Sequence, residues 1–492
     1  MEKNKITINK KAVEKEKKVE ILGDIIVPDI KPDIINIINT NANSYIYKKE
    51  INESKIRLDG NIDTFVIYLA DNGETRSIQT TLNFSEVIED SQIITTMKAK
   101  EKINLIEIES KILNERKISI KAEVLLNVEM WENEEVEFIN NIDDELDIQK
   151  LEEKLLVKSC VGENSNRTSI KENVKSNSES KIAEILKTNV ELCNLENKIS
   201  YNKVLAKADA NIKIVFLSEE NKIEKIDTTI PVMSFIELPG ITDTNVCDTE
   251  YNIRNMLYKI DTKDMNSVEV QIEYEVICTA YENKEIDVIQ DMYSTRRNIT
   301  FNKKEANIKL VTEGENKNIK IEERVLVEDI SSICDINCTP MIINKNLSGD
   351  NINYEGELCL DILFEADNRN GLNFQKVKIP FVFKSEIEIQ STDLKIETKS
   401  FSVNNEYVNC NVTISIRNSS RSMKKVSIIE NIESQDIEEE NEYKMIVYFV
   451  KKGDTIWNIA KKFKVCSKNI LKANNLEENC KINVGDRLYI MR

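Results

Sequence analysis

The chain holds 492 residues, 31% of them charged and 40% hydrophobic, with a formal charge of −18, a balance that supports folded cores and repels nucleic acid and anionic lipid. It has no histidine, which removes the commonest general base, every Ser/His or Cys/His nucleophile pair and every His-containing zinc site. Its longest apolar run, Phe65 to Ala70, is far short of the roughly 20 residues that a bilayer-spanning helix needs, so direct membrane insertion is not expected.

The first segment, residues 1–19, reads MEKNKITINKKAVEKEKKV and is charged and polar. It lacks the apolar stretch of a secretory signal, and this predicts a protein that stays inside the cell. Beyond it lies an internal repeat. GNIDTFVIYLAD from Gly60, ADANIKIVFLSE from Ala208 and GELCLDILFEAD from Gly356 recur at a spacing of 148. The register pairs Ile62, Ala210 and Leu358, then Val66, Ile214 and Ile362, then Tyr68, Phe216 and Phe364. Alternating apolar positions predict strands with one buried face, and a polar turn followed by a second strand makes each copy a β-hairpin. Further alternating stretches follow at ISIKAEVLLNV, VEVQIEYEVIC and YVNCNVTISIR.

Upstream of each hairpin, Ile34, Ile37 and Ile38 correspond to Ile182, Ile185 and Leu186 and to Ile330, Ile333 and Cys334. The i, i+3, i+4 spacing predicts a short amphipathic helix there. The ten cysteines are scattered without a C-x-x-C pair, and the closest two, Cys334 and Cys338, occupy the positions of Ile38 and Ala42. They read as core, with no metal site, no cofactor and free thiols expected throughout.

A period this long means tandem domains, because solenoid units repeat every 20 to 50 residues. The expected organisation is three mainly-β (α+β) domains at residues 20–131, 170–281 and 320–417. Linkers or insertions are expected at 132–169, 282–319 and 418–442, and a small β-α-α-β domain at 443–492. The last linker is acidic, with six Glu and one Asp in Glu430 to Glu442, and reads as a solvated tether. The terminal module is basic. Residues 447–492 hold eight Lys and two Arg against two Asp and two Glu, so the preceding residues carry −24.

The segments VPDIKPDIINII and SKIRLDGNIDTFVIYLADNGETRSI resemble the SPOCS domain of coat and sporulation proteins of endospore-forming bacteria. The first copy fits best, since Ser180 and Glu328 stand at the position of Pro32 in the other two. The domain implies no catalytic residue. YFVKKGDTIWNIAKKFKVCSKNILKANNLEENCKINVGDRLYIM resembles a LysM domain along its whole length, although it ends without the proline that commonly closes the family's last strand. Val447 to Val450 is expected as a strand, with Gly453 and Asp454 in a turn and Asp454 or Thr455 capping a helix. Ile456, Ile459, Ala460 and Phe463 face inward on that helix, Ser467 caps the second, and Trp457 is expected to fill the core. The resemblance implies a shallow glycan groove formed by Gly453, Asp454, Thr455 and Ile456 on one side and Asn475, Leu476 and Ile482 on the other. Lys461, Lys462, Lys464, Lys468 and Lys472 make a second candidate surface, a basic face toward an acidic partner.

Together the two resemblances point to the SipL-type coat morphogenetic proteins of clostridia. This implies a non-enzymatic scaffold in the mother-cell cytoplasm, at the forespore outer surface. Its partners would be stage IV sporulation protein A, the basement-layer ATPase, bound through the LysM domain, and other coat proteins. The alternative is a protein that binds peptidoglycan of cortex or wall. A wall hydrolase is disfavoured, because no motif singles out an acid/base pair from so many carboxylates.

Overall fold

In the computed structural model, which describes residues 2–142, 147–311, 317–349, 351–366, 369–385, 389, 394–416, 423–436, 445–477 and 480–491, antiparallel strands make up nearly the whole chain. The first copy of the repeat comprises β1 (Glu2–Ile26), β2 (Ile34–Asn52), β3 (Lys55–Ala70), β4 (Thr75–Glu89), β5 (Lys98–Asn114) and β6 (Lys117–Asn141). The second comprises β7 (Ile148–Lys175), β8 (Ile182–Ser200), β9 (Lys203–Ser218), β10 (Ile223–Glu237), β11 (Val246–Ile260) and β12 (Ser267–Ser294). The third comprises β13 (Arg297–Lys309), β14 (Lys317–Leu326), β15 (Ile330–Ser348), β16 (Asn351–Ala366), β17 (Arg369–Ser385), β18 (Leu394–Asn404), β19 (Tyr407–Ile416) and β20 (Met423–Asp436).

Each copy is a sandwich of two three-stranded sheets: β2-β3-β4 with β1-β6-β5, β8-β9-β10 with β7-β12-β11, and β15-β16-β17 with β14-β19-β18. The central strands alternate as the sequence pattern predicts, and all nine apolar residues of the register, from Ile62 to Phe364, are buried. One cross-strand pair shows how volume is conserved between copies. Gly60 lies opposite Phe84 and Gly356 opposite Phe381, whereas Ala208 lies opposite Val232. A Cβ at Gly60 would sit 2.2 Å from Phe84, so the larger ring requires glycine across from it.

The expected helix is a strand. Residues 34–38, 182–186 and 330–334 open β2, β8 and β15. Each strand carries two successive β-bulges, at Ile34/Asn36 and Ile37/Asn39 and at the positions 148 and 296 residues later. Every bulge inserts one residue, so inward side chains recur after three positions instead of two, and the pattern imitates a helical face.

These bulged strands meet at a pseudo-threefold hub. Ile67, Val215 and Leu363 form one cluster with Ile38, Leu186 and Cys334, each trio contributed once per copy. Around the hub, β4 packs on β8, β10 on β15 and β17 on β2, which closes the three copies into a ring. Asn39, Lys187 and Asp335 hold equivalent buried positions, and the last two form an ion pair across the seam between the second and third copies. The seam between the first and second copies is closed differently. There Phe65 stacks on Tyr258 with ring centres 5.8 Å apart, and the Ser77 hydroxyl donates to the Ile185 carbonyl at 2.7 Å.

The stretches read as linkers also carry strands. β1 begins at Glu2, β6 and β7 occupy most of 132–169, β12 and β13 most of 282–319, and β20 runs through 423–436. Past the sandwiches, the far halves of β1 and β6, those of β7 and β12, and the pair β13/β20 form three two-stranded ribbons. Their inner faces share a core that includes Ile8, Phe138, Val157, Val288, Ile308 and Ile428. Apolar residues are sparse between lysines and glutamates here, so a ribbon hides its apolar side only against the other two. The acidic tether lies within β20 as far as Asp436, and its remainder lies outside the described residues.

Candidate functional site

The terminal module consists of β21 (Met445–Phe449), α1 (Ile456–Phe463), α2 (Ser467–Ala473) and β22 (Arg487–Met491), with β21 and β22 paired antiparallel. Gly453 stands in the turn before α1 with φ +89°, a conformation that favours glycine. Asp454 fixes that turn by accepting from the Lys451 backbone N–H at 2.7 Å and from the Tyr448 hydroxyl at 2.8 Å, and these two donors hold its carboxyl below the usual range. Thr455 is the N-cap of α1, its hydroxyl accepting from the Asn458 N–H at 3.1 Å. Ser467 is not a cap. It is the first residue of α2, and Cys466 stands at the N-cap without a side-chain bond. Asn474 then ties α2 to β22, donating to the carbonyls of Ile470 and Tyr489 and accepting from the Tyr489 N–H.

The residues expected to form the groove lie in the loop before α1, at the start of α1, and in the loops after α2. Gly453, Thr455 and Asn475 are exposed, Asp454 is half-buried, and Ile456, Leu476 and Ile482 lean partly buried on the module's core. No hydrogen bond or ion pair among the described residues joins any of the seven to the body of the chain.

The module is docked on the body through α1 and the residues that follow it. Trp457, expected in the core, is only half-buried and lies at a seam with the ribbon end. Its Nε1 donates to Asp291 Oδ2 at 2.8 Å, and its ring meets Tyr293 edge-on at 5.0 Å. Lys461 Nζ lies 2.5 Å from Asp291 Oδ1 and 5.4 Å from the Phe301 ring centre, and Lys464 donates to Asn298. The buried Tyr293 hydroxyl donates to the Val465 carbonyl at 2.8 Å, and Tyr293 belongs to the module's own apolar cluster. Burial of Asp291 works to raise its pKa, but the Lys461 ammonium and the Trp457 N–H outweigh that and leave it lowered. The expected basic face is therefore divided. Lys461 and Lys464 are engaged within the chain, while Lys462, Lys468 and Lys472 stay exposed, Lys462 lying over the rings of Tyr448 and Phe463. Asp291 and Tyr293 sit in a stretch that reads as linker in the sequence, where nothing distinguishes them from their neighbours.

Family models match the chain in two parts. That of the SipL SPOCS domain covers residues 33–113, 181–261 and 329–424, and that of the LysM domain covers 448–490. The chain belongs to the SipL SPOCS family. The three SPOCS matches start 148 residues apart, at the spacing of the repeat, and the LysM match coincides with the docked module. Comparison with curated proteins and with solved structures found no match. This architecture fits a sporulation and coat protein that carries a domain of the peptidoglycan-binding type. Among the described residues no helix is long and apolar enough to cross a membrane, and no His/Cys/Asp/Glu group could hold a metal ion.

Proposed function

We propose that the protein is a non-enzymatic scaffold of spore-coat assembly, which docks on the forespore surface from the mother-cell cytoplasm. Its LysM module binds stage IV sporulation protein A, the basement-layer ATPase, and its SPOCS ring recruits other coat proteins. The observation that carries this reading is the seam at Asp291 and Tyr293. A binding module held in one orientation on a rigid ring suits a structural adaptor, since a fixed geometry lowers the ordering cost of assembly. A freely tethered wall-targeting module would have no need of it.

A peptidoglycan-binding reading keeps one supporting observation: Gly453, Thr455 and Asn475 are exposed and make no hydrogen bond to the body among the described residues. The experiment that separates the two measures binding of the purified chain to stage IV sporulation protein A and to peptidoglycan fragments, with and without residues 443–492. The scaffold reading expects ATPase binding that is lost on truncation. Affinity for glycan alone would replace it with wall binding.

A further inference from the structure

Docking removes one side of α1 from solvent, and the module's small sheet keeps an apolar outer face exposed. Ile446 and Tyr448 of β21 point into the core, so Met445, Val447 and Phe449 point outward. Their partners across the ladder are Met491, Tyr489 and Arg487. Five of these six outward positions are apolar, and Met445, Val447, Phe449 and Met491 are 56%, 44%, 61% and 47% exposed. An outer sheet face that meets only water normally carries polar side chains, and an apolar one marks an interaction surface. The rim of this face is basic. Arg487 stacks over Tyr489 at 5.0 Å, and Lys451 and Lys452 continue the chain just past Phe449. None of the three forms an ion pair within 4.0 Å among the described residues, although Lys451 lies near enough to Asp454 to act on its charge.

We propose that the outer face of β21 and β22 is the surface that receives the protein partner, and that the partner presents an apolar patch bordered by carboxylates. This rests on the reading of the module as a protein-docking unit and moves the contact away from the glycan groove. Charge selects the occupant. The six outward positions of a second copy hold no carboxylate for this rim, whereas an acidic border would pair with all three cations. Apolar residues at the centre supply the affinity, and the cations at the edge supply the encounter rate.

The test uses the full chain and purified stage IV sporulation protein A, with affinity and rates measured by biolayer interferometry at several salt concentrations. Phe449→Glu and Val447→Glu should each weaken binding about tenfold or more, while Phe449→Leu keeps it within about threefold. Arg487→Glu should slow association and flatten its salt dependence. Near-ultraviolet circular dichroism and an unchanged thermal melt control for folding of the module. If Phe449→Glu and Val447→Glu are folded and bind the ATPase as the unmodified chain does, while Lys468→Glu or Thr455→Ala is impaired, the face is not the docking surface although protein docking stands. If the unmodified chain does not bind the ATPase at all, the scaffold reading fails and this proposal falls with it.

Discussion

Replacing Asp291 by alanine should release the LysM module without unfolding it. The substitution removes the acceptor of two hydrogen bonds, from Trp457 Nε1 and from Lys461 Nζ. A hydrogen bond to a charged group contributes about 1.5–3 kcal/mol, and the half-buried site places each at the lower end of that range. A loss of about 3 kcal/mol raises the undocked fraction about a hundredfold, since 1.4 kcal/mol is tenfold. Tyr293 would remain, through its bond to Val465 and its ring contact with Trp457. Trp457 is one of two tryptophans, so a Trp131→Phe background reports its emission alone. Asp291→Ala should shift that emission to the red and speed amide exchange in α1, with the sandwich strands unaffected. The same opening should follow acidification. The Asp291 pKa is depressed when docked, so its contribution is fully present above the ordinary carboxylate value and is lost as pH falls through the docked value. Unchanged emission and exchange at pH 7 in Asp291→Ala would refute this account of the seam.

Gly60→Ala should cost about 1–3 kcal/mol by overpacking, because the new Cβ would meet both the Phe84 ring at 2.2 Å and the Tyr45 carbonyl oxygen at 2.4 Å, so adding Phe84→Val should recover only part of it, as thermal melts of a double-mutant cycle would show. Lys187→Met alone leaves Asp335 buried without its counter-ion and should cost about 3–5 kcal/mol, whereas Lys187→Met with Asp335→Leu should be close to neutral in denaturant unfolding. Burial pushes the thiols of Cys334 and Cys338 up to about 12. Alkylation of the native protein should therefore spare both at pH 8, and mass spectrometry should find them modified only after denaturation.

Much of the fold is legible without coordinates, and the reason is local. A strand buried on one face must alternate, so Ile62, Val66 and Tyr68, with their counterparts 148 and 296 residues later, declare both the strand and the repeat. The module is equally plain, because the turn at Gly453, the cap at Thr455 and the apolar spacing of α1 all act within a few residues. The bulged openings of β2, β8 and β15 are not plain. Two inserted residues turn a period of two into the spacing of a helix, and only the pairing partner reveals which it is.

The sequence by itself therefore determined three copies of a β unit and a basic β-α-α-β module after them. Tertiary structure alone decided that the copies close into a ring, that the supposed linkers pair into ribbons, and that Trp457, at the edge of the module's core, and Lys461 both reach Asp291. Ring closure depends on contacts between residues more than a hundred positions apart, such as Ser77 with Ile185 and Lys187 with Asp335, and no local pattern encodes which edge meets which. The ribbons are amphipathic only in company, since each buries its few apolar side chains against the other two. Asp291 is one carboxylate among 86 acidic residues, and what sets it apart is the module that folds against it.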